Sequence, residues 1–322
     1  MNKQKRKSHR LLQIVSVLTA LFWIGYAEFV QRASAQQPAV KDEIEVLPVQ
    51  GNVYLLVGAG SNITAQVGVN GILLVDAGTA QMSGKVLAAL RKIVDKPASM
   101  QGKIRYIINT SDDLDHRGGN ENLSRAGFAA GNDSGGPAVI IAHENVVTRL
   151  AALTGNDRVP TIALPVNTFT GAGGSKDLFW NDDGVQVINV PDAHSDGDSI
   201  VYFRRADVVS TGDVFVLTGY PVIDLERGGS LQGTINGLNR LLDITIPGRY
   251  EEGGTLVVPG HGRICDELEL VEYRDMLTII RDRIQAMIKK GATLDQVKTA
   301  DVTKDYDPEF GAGSPGAWPT AK

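Results

Sequence analysis

Three histidines that lie beside aspartate and glycine are the residues of this sequence best placed to do chemistry. They occur in Asp115-His116-Arg117-Gly118-Gly119, Asp192-Ala193-His194-Ser195-Asp196 and Pro259-Gly260-His261-Gly262, each in a loop soon after a β-rich run. Loops held at the ends of strands by a rigid scaffold are where catalytic groups concentrate. The pattern therefore predicts that His116, His194 and His261 contribute to one functional site.

Metal binding is the chemistry that this set of residues favours. Imidazole nitrogen and carboxylate oxygen are ligands of a catalytic zinc ion, which keeps one position open for water. Asp213, in Ser210-Thr211-Gly212-Asp213, also follows a β-rich run and can ligate one ion or bridge two. A bound cation lowers the pKa of its water and polarises the scissile carbonyl or ester oxygen. Asp113 and Asp115 are both candidates for the catalytic group that orients this water or carries its proton.

The order of these motifs resembles that of the metallo-β-lactamase superfamily, from about Val53 to Asp307. The family signature His-x-His-x-Asp-His matches the frame of residues 111–116, and the family's Gly-Gly-Asn follows at residues 118–120. His194, Asp213 and His261 match the later motifs, and Asp76 resembles the family's strand-end aspartate, which supports a metal ligand. The resemblance implies an α+β fold, the αββα sandwich of two mixed β-sheets with flanking helices. It also implies a metal-dependent hydrolase.

The first motif departs from the family, because Ser111 and Asp113 replace its two leading histidines. The resemblance implies that these two positions and His194 form a first metal site, that Asp115, His116 and His261 form a second, and that Asp213 bridges them. Three outcomes stay open: one ion in the second site, two ions with Asp113 as a replacement ligand, or a protein that keeps the fold without hydrolysis. We expect one or two Zn²⁺ ions, with manganese or iron favoured by a carboxylate-rich site. The predicted ligands are Asp113, Asp115, His116, His194, Asp213 and His261.

The expected substrate is a small molecule: an ester, lactone, thioester or amide, β-lactams included. Fold analogy alone supports that range. Two other classes remain, a non-catalytic metal-binding or ligand-binding protein and an iron-dependent redox enzyme on the same fold. The net charge of -5, without basic runs beyond the N-terminus, disfavours a nucleic-acid partner.

Alternating strands and helices must position these loops. Two β-rich halves, each followed by helices, predict two sheets packed together with helices outside. The predicted strands are residues 53–57, 72–75, 104–108, 185–190, 199–203, 208–210 and 255–258, and the predicted helices are residues 83–94, 231–242, 267–289 and 294–298.

The first 35 residues are typical of an export segment. Basic residues precede an apolar stretch from Leu11 to about Val30, and Ala33-Ser34-Ala35 offers small residues for a signal peptidase. An uncleaved membrane anchor is the alternative. We therefore expect residues 36–322 to form a metallo-β-lactamase-like domain in the periplasm or outside the cell, in contact with a membrane only if the segment is retained. Cys265 is the single cysteine, which excludes an internal disulfide, and is interpreted as a small buried residue.

Three further segments have two interpretations each. His143 either supports the site or ends a strand and starts a helix. The stretch from Tyr220 to Ser230, which includes Arg227, either shapes substrate access or is a plain crossover into the next helix. Residues 171–176 with Phe179 and Trp180 either form a flexible lid with an aromatic rim or have no such role.

Overall fold

The computed structural model describes residues 43–94, 100–129, 135–250 and 253–311. The export segment at residues 1–35 and the predicted domain boundary at residue 36 lie outside the described residues, so both stay predictions. Within the described ranges, no helix has the length and apolar character needed to cross a bilayer.

The first sheet contains seven described strands that lie side by side in chain order. Strands β1 to β4 pair antiparallel, whereas β4, β5, β6 and β7 pair parallel. Because parallel strands end at the same edge of a sheet, the loops after β4, β5 and β6 meet there. The strands are β1 (Glu45–Gln50), β2 (Val53–Ala59), β3 (Ser61–Gly68), β4 (Gly71–Val75), β5 (Ile104–Ile108), β6 (Val139–His143) and β7 (Asn167–Phe169).

The second sheet contains five described strands in the order β12-β11-β10-β9-β8. Only the β11–β12 pair is parallel among them. Both sheets are thus mixed, as the sequence predicts. The strands are β8 (Ser175–Trp180), β9 (Asp183–Asn189), β10 (Ser199–Phe203), β11 (Val208–Ser210) and β12 (Leu256–Val258).

Helices cover the outer faces of the two sheets. A capping box of Asp266 and Glu269 starts the longest of the described helices and satisfies its first backbone N–H groups. The described helices are α1 (Ser83–Lys92), α2 (Leu114–Arg117), α3 (Asn120–Ala126), α4 (Glu144–Ala152), α5 (Leu231–Ile244), α6 (Glu267–Lys289), α7 (Leu294–Lys298) and α8 (Asp307–Phe310).

Strand β4 shows how the layers pack. All five of its residues are buried, which is typical of a strand covered on both faces. Leu73 and Val75 belong to the apolar layer between the sheets, together with Val201 and Phe203 of the second sheet. Leu74 packs on the other side, against the layer beneath α1. The architecture is the predicted αββα sandwich.

The aromatic part of the segment interpreted as a lid is not a loop, because Ser175–Trp180 is edge strand β8 and pairs along its whole length with β9. The Trp180 ring packs edge-on against Tyr106 of the first sheet, with centroids 4.9 Å apart. Trp180 is partly buried against the apolar layer between the sheets, whereas Phe179 is 77% exposed.

Candidate metal site

The predicted ligands and the supporting Asp76 meet where five strands end. Asp76 follows β4, and residues 111–116 follow β5 and run into α2. From the second sheet, His194 follows β9, Asp213 follows β11 in a 3-10 turn, and His261 follows β12. Two groups have ligand atoms within 4.8 Å of one another: Asp115, His116 and His261, and Asp113, His194 and Asp213. We call the first of these groups, extended by Asp213, the open cluster, and the second the bridged cluster.

His116 anchors the open cluster. Its side chain is fully buried, and its Nδ1 lies 2.7 Å from Asp76 Oδ2. Asp76 is held in turn by the Thr110 backbone N–H at 2.8 Å and hydroxyl at 2.7 Å. A carboxylate accepts the proton of Nδ1, so the other ring nitrogen, Nε2, is directed at the cluster.

The remaining ligand atoms of the open cluster converge on that nitrogen. His116 Nε2 lies 3.2 Å from Asp213 Oδ2. His261 Nε2 lies 3.2 Å from Asp115 Oδ2 and 3.5 Å from Asp213 Oδ1. Two histidine nitrogens and two carboxylates at this spacing match the donors that Zn²⁺ takes in proteins.

Two buried atoms of the open cluster test whether these residues fit a metal. His116 Nε2 and Asp213 Oδ1 are buried and have no hydrogen-bond partner of adequate geometry among the described residues. Polar atoms in a protein interior are almost always hydrogen-bonded, and an exception calls for an explanation such as an ion. The donor set and these two atoms fit a divalent metal.

The charges of the open cluster suit a cation as well. Burial raises the pKa of Asp213, but His116 and His261 lower it by more than burial raises it. The resulting pKa is about 2. Burial likewise raises the pKa of Asp115, and His261 and His116 hold it below its usual value. Both carboxylates are therefore ionised at neutral pH. In the metal-free protein, burial lowers the pKa of His116, but Asp213 and Asp76 hold it well above its usual value.

Glycine and asparagine set the loop that carries His261. A Cβ at Gly260 would lie 2.3 Å from Asp213 Oδ1, so only glycine lets this loop approach the aspartate. The Asn62 side chain on β3 donates to the carbonyls of Pro259 and Gly262, each at 2.9 Å. A first-sheet strand thus fixes the second-sheet loop on both sides of His261.

The bridged cluster is closed by hydrogen bonds. His194 Nε2 lies 2.8 Å from Asp113 Oδ2, and His194 Nδ1 lies 2.8 Å from the Val222 carbonyl. Ser111 donates to Asp113 Oδ2 at 3.1 Å. Arg227 donates to the other oxygen, Oδ1, at 2.8 Å. Ser111 and Asp113, which stand where the family has histidines, therefore contact each other.

Sequence reasoning did not single out Arg227, Arg149 or Asp112 as site residues. Arg149 donates through Nε and Nη2 to Asp112 and also contacts Asp196. Arg227 contacts Asp112 at 3.2 Å and Asp224 at 2.7 Å. The sequence offered one signal for Arg227: it lies three residues after Asp224, at ion-pair spacing, in the stretch from Tyr220 to Ser230.

The other candidates have structural roles. His143 is buried, ends β6 and caps α4 by accepting the Asn145 N–H at 3.4 Å, which matches its interpretation as a helix start. Cys265 is buried, as expected, and its Sγ lies 3.6 Å from the Val257 carbonyl.

Solved structures with similar architecture identify the fold of this chain. A metallo-β-lactamase from Pontibacter korlensis has a TM-score of 0.55 and 17% identity, covering 73% of this chain and 99% of its own. DIM-1 metallo-β-lactamase has a TM-score of 0.54 and 16% identity, covering 73% of this chain and 97% of its own. This chain has the metallo-β-lactamase fold. The inverting sec-alkylsulfatase Pisa1 from Pseudomonas sp. is also similar, with a TM-score of 0.58, 15% identity, and coverage of 80% of this chain and 45% of its own.

These likenesses establish the architecture alone. No protein-family model and no curated protein sequence matches the chain. A fold does not determine a function, so the function of this chain depends on its own site residues.

Proposed function

We propose that the chain is a metal-dependent hydrolase that holds its ion in the open cluster. The observation that carries this proposal is the pair of buried ligand atoms, His116 Nε2 and Asp213 Oδ1, which lack hydrogen-bond partners among the described residues. His261 and Asp115 complete the ligand set. When bound, the ion would supply an activated water and polarise the substrate oxygen.

The structure favours Asp115 over Asp113 as the residue that orients water. Both oxygens of Asp113 accept hydrogen bonds, from His194 and Ser111 on one side and from Arg227 on the other. Burial raises the pKa of Asp113, but His194 and Arg227 hold it far below its usual value. An acid so strongly ionised is a poor proton acceptor. Asp115, by contrast, is within the open cluster and 30% exposed.

The proposed substrate is a small ester, lactone, thioester or amide, β-lactams included, and the similarity to an alkylsulfatase adds alkyl sulfates to the test set. Leu114, Val222 and Leu225 are 69%, 69% and 78% exposed beside site residues. Exposed apolar side chains at a binding site favour apolar ligand groups. We infer a substrate with an apolar substituent, encountered in the periplasm or outside the cell.

Metal analysis of the purified protein and its variants tests the proposal. We expect about one equivalent of metal in the parent, nearly none in His261→Ala, and the parental amount in the control Ser111→Ala. A panel of esters, lactones, lactams, thioesters and alkyl sulfates should reveal turnover in the parent that His261→Ala loses. Metal without turnover would support the non-catalytic alternative, and bound iron with substrate oxidation the redox alternative.

A further inference from the structure

The two clusters differ in what already occupies their ligand atoms. In the open cluster, a histidine nitrogen and a carboxylate oxygen are buried without partners among the described residues. In the bridged cluster, His194 Nε2 and both oxygens of Asp113 have partners within 2.8–3.1 Å. The ligand atoms of Asp113 and His194 are therefore already hydrogen-bonded, whereas His116 Nε2 of the open cluster and Oδ1 of Asp213, the residue that both clusters share, are not bonded within the described part of the chain.

His194 is held in the bridged cluster through both ring nitrogens. Nδ1 lies 2.8 Å from the Val222 carbonyl and Nε2 lies 2.8 Å from Asp113 Oδ2. An ion could bind Nε2 only by displacing its contact with Asp113.

Arg227 brings a permanent positive charge to the same place. Its guanidinium contacts Asp113 at 2.8 Å, Asp224 at 2.7 Å and Asp112 at 3.2 Å. Arginine is charged at any pH at which proteins fold, and its planar group suits such multiple carboxylate contacts. A metal ion bound to Asp113 would have to share this carboxylate with a cation that is already bound.

We propose that Arg227 replaces the first metal ion of the fold, so that the chain loads a single ion, in the open cluster. This inference rests on the proposed metal site and adds its stoichiometry and the residue that sets it. Ser111 explains why one ligand is missing. Arg227 explains why the three that remain, Asp113, His194 and Asp213, do not take up a second ion although their atoms lie within 4.8 Å of one another.

Equilibrium Zn²⁺ titration of the metal-free parent, Arg227→Gln and Arg149→Gln tests this inference, with the amount of bound metal as the readout. We expect one ion in the parent. Arg227→Gln should bind a second ion at least about tenfold more tightly than the parent does, because the competing cation is gone. Arg149→Gln is the matched control. It removes a cation that contacts Asp112 and Asp196 but not Asp113, and should behave as the parent does.

The outcomes separate this inference from the proposed function. A parent that binds two ions tightly, or a folded Arg227→Gln that still binds one, would overturn the role of Arg227 and leave the hydrolase proposal standing. A parent that binds no ion would overturn both. Circular dichroism checks folding, and Arg227→Met, which keeps most of the side-chain length, replaces Arg227→Gln if that variant is unfolded. The two-ion result in the parent overturns the inference without any variant.

Discussion

His194 links the site to the pH dependence of stability. In the metal-free protein, burial lowers its pKa, but the hydrogen bond to Asp113 and nearby carboxylates raise it, to about 9 from the ordinary 6.5. A histidine with a raised folded-state pKa contributes stability that is fully present below the unfolded pKa and is lost as pH rises through the folded value. The relevant window is therefore pH 6.5 to 9.

We predict that the free energy of unfolding of the metal-free parent falls, relative to His194→Gln, by about 1 to 3 kcal/mol across that window. Urea denaturation at a series of pH values measures it. Because other histidines titrate in both proteins, the difference between parent and variant isolates His194. Parallel stability curves would show that the His194–Asp113 contact is not an ion pair.

Asp76 is the residue whose loss should weaken metal binding without removing a ligand. It accepts the His116 proton at 2.7 Å, and its backbone φ of +66° is one that asparagine tolerates. We predict that Asp76→Asn lowers metal affinity about 10- to 100-fold, as the loss of such supporting carboxylates does elsewhere. Competition with a chromogenic chelator measures the affinity.

Asp183→Asn is the control for Asp76→Asn. Asp183 is equally buried and accepts hydrogen bonds from Gln66 and from the backbone of Arg205 and Ala206, away from the site. It should lose stability and keep the parental metal affinity. Equal losses of metal affinity in both variants would assign the effect of Asp76 to general destabilisation.

At the scale of elements, the loop between β5 and α2 carries the departure from the family motif. We predict that Ser111→His with Asp113→His raises Zn²⁺ stoichiometry toward two, because the exchange adds imidazole ligands and removes the carboxylate that Arg227 binds. Ser111→His alone should stay at one ion, because Asp113 keeps its contact with Arg227. Equilibrium dialysis with metal analysis distinguishes them. Two ions in the single variant would contradict the assigned role of Arg227.

The strand-end loops were predictable from sequence because Asp, His and Gly after β-rich runs leave a local signal. Strand β3 left none. Its sequence, Ser61 to Gly68, is rich in polar residues, yet all but its last residue are buried. Thr64 bonds Ser210 and Gln66 bonds Asp183, both far along the chain. Polar residues satisfied by distant partners produce no hydrophobic periodicity, so the pattern could not reveal this strand.

Arg227 was missed for a related reason. Its partner Asp113 lies 114 residues earlier in the chain, and a surface arginine in a turn-rich loop is ordinarily solvated. Only the fold brings the loop before α5 onto the loop after β5. The motif was enough to predict the ligands. The contact of Arg227 with Asp113, by contrast, exists only in the folded protein.

At the scale of the whole molecule, the open cluster joins the two halves of the sandwich. Asp115 and His116 come from the first half, and Asp213 and His261 from the second. A ligand that binds only the folded protein stabilises it by mass action, by about 4 kcal/mol at a thousandfold excess over Kd. We predict that chelation lowers the Tm of the parent by about 5 to 10 °C.

Calorimetry with and without a chelator measures this shift. The control is His261→Ala, which has lost the ligand and should melt at the same temperature under both conditions. An unchanged Tm of the parent in the presence of the chelator would show that no bound ion stabilises the folded protein.

The contacts of Asn62 bear on the rate at which a bound ion would exchange. A bound ion can leave only when a ligand swings away from it, and His261, which is 9% exposed against 0% for His116, lies on the loop that Asn62 holds on both sides. Opening of that loop would therefore set how long an ion stays. An amide on β3 would then slow the exchange of the proposed ion.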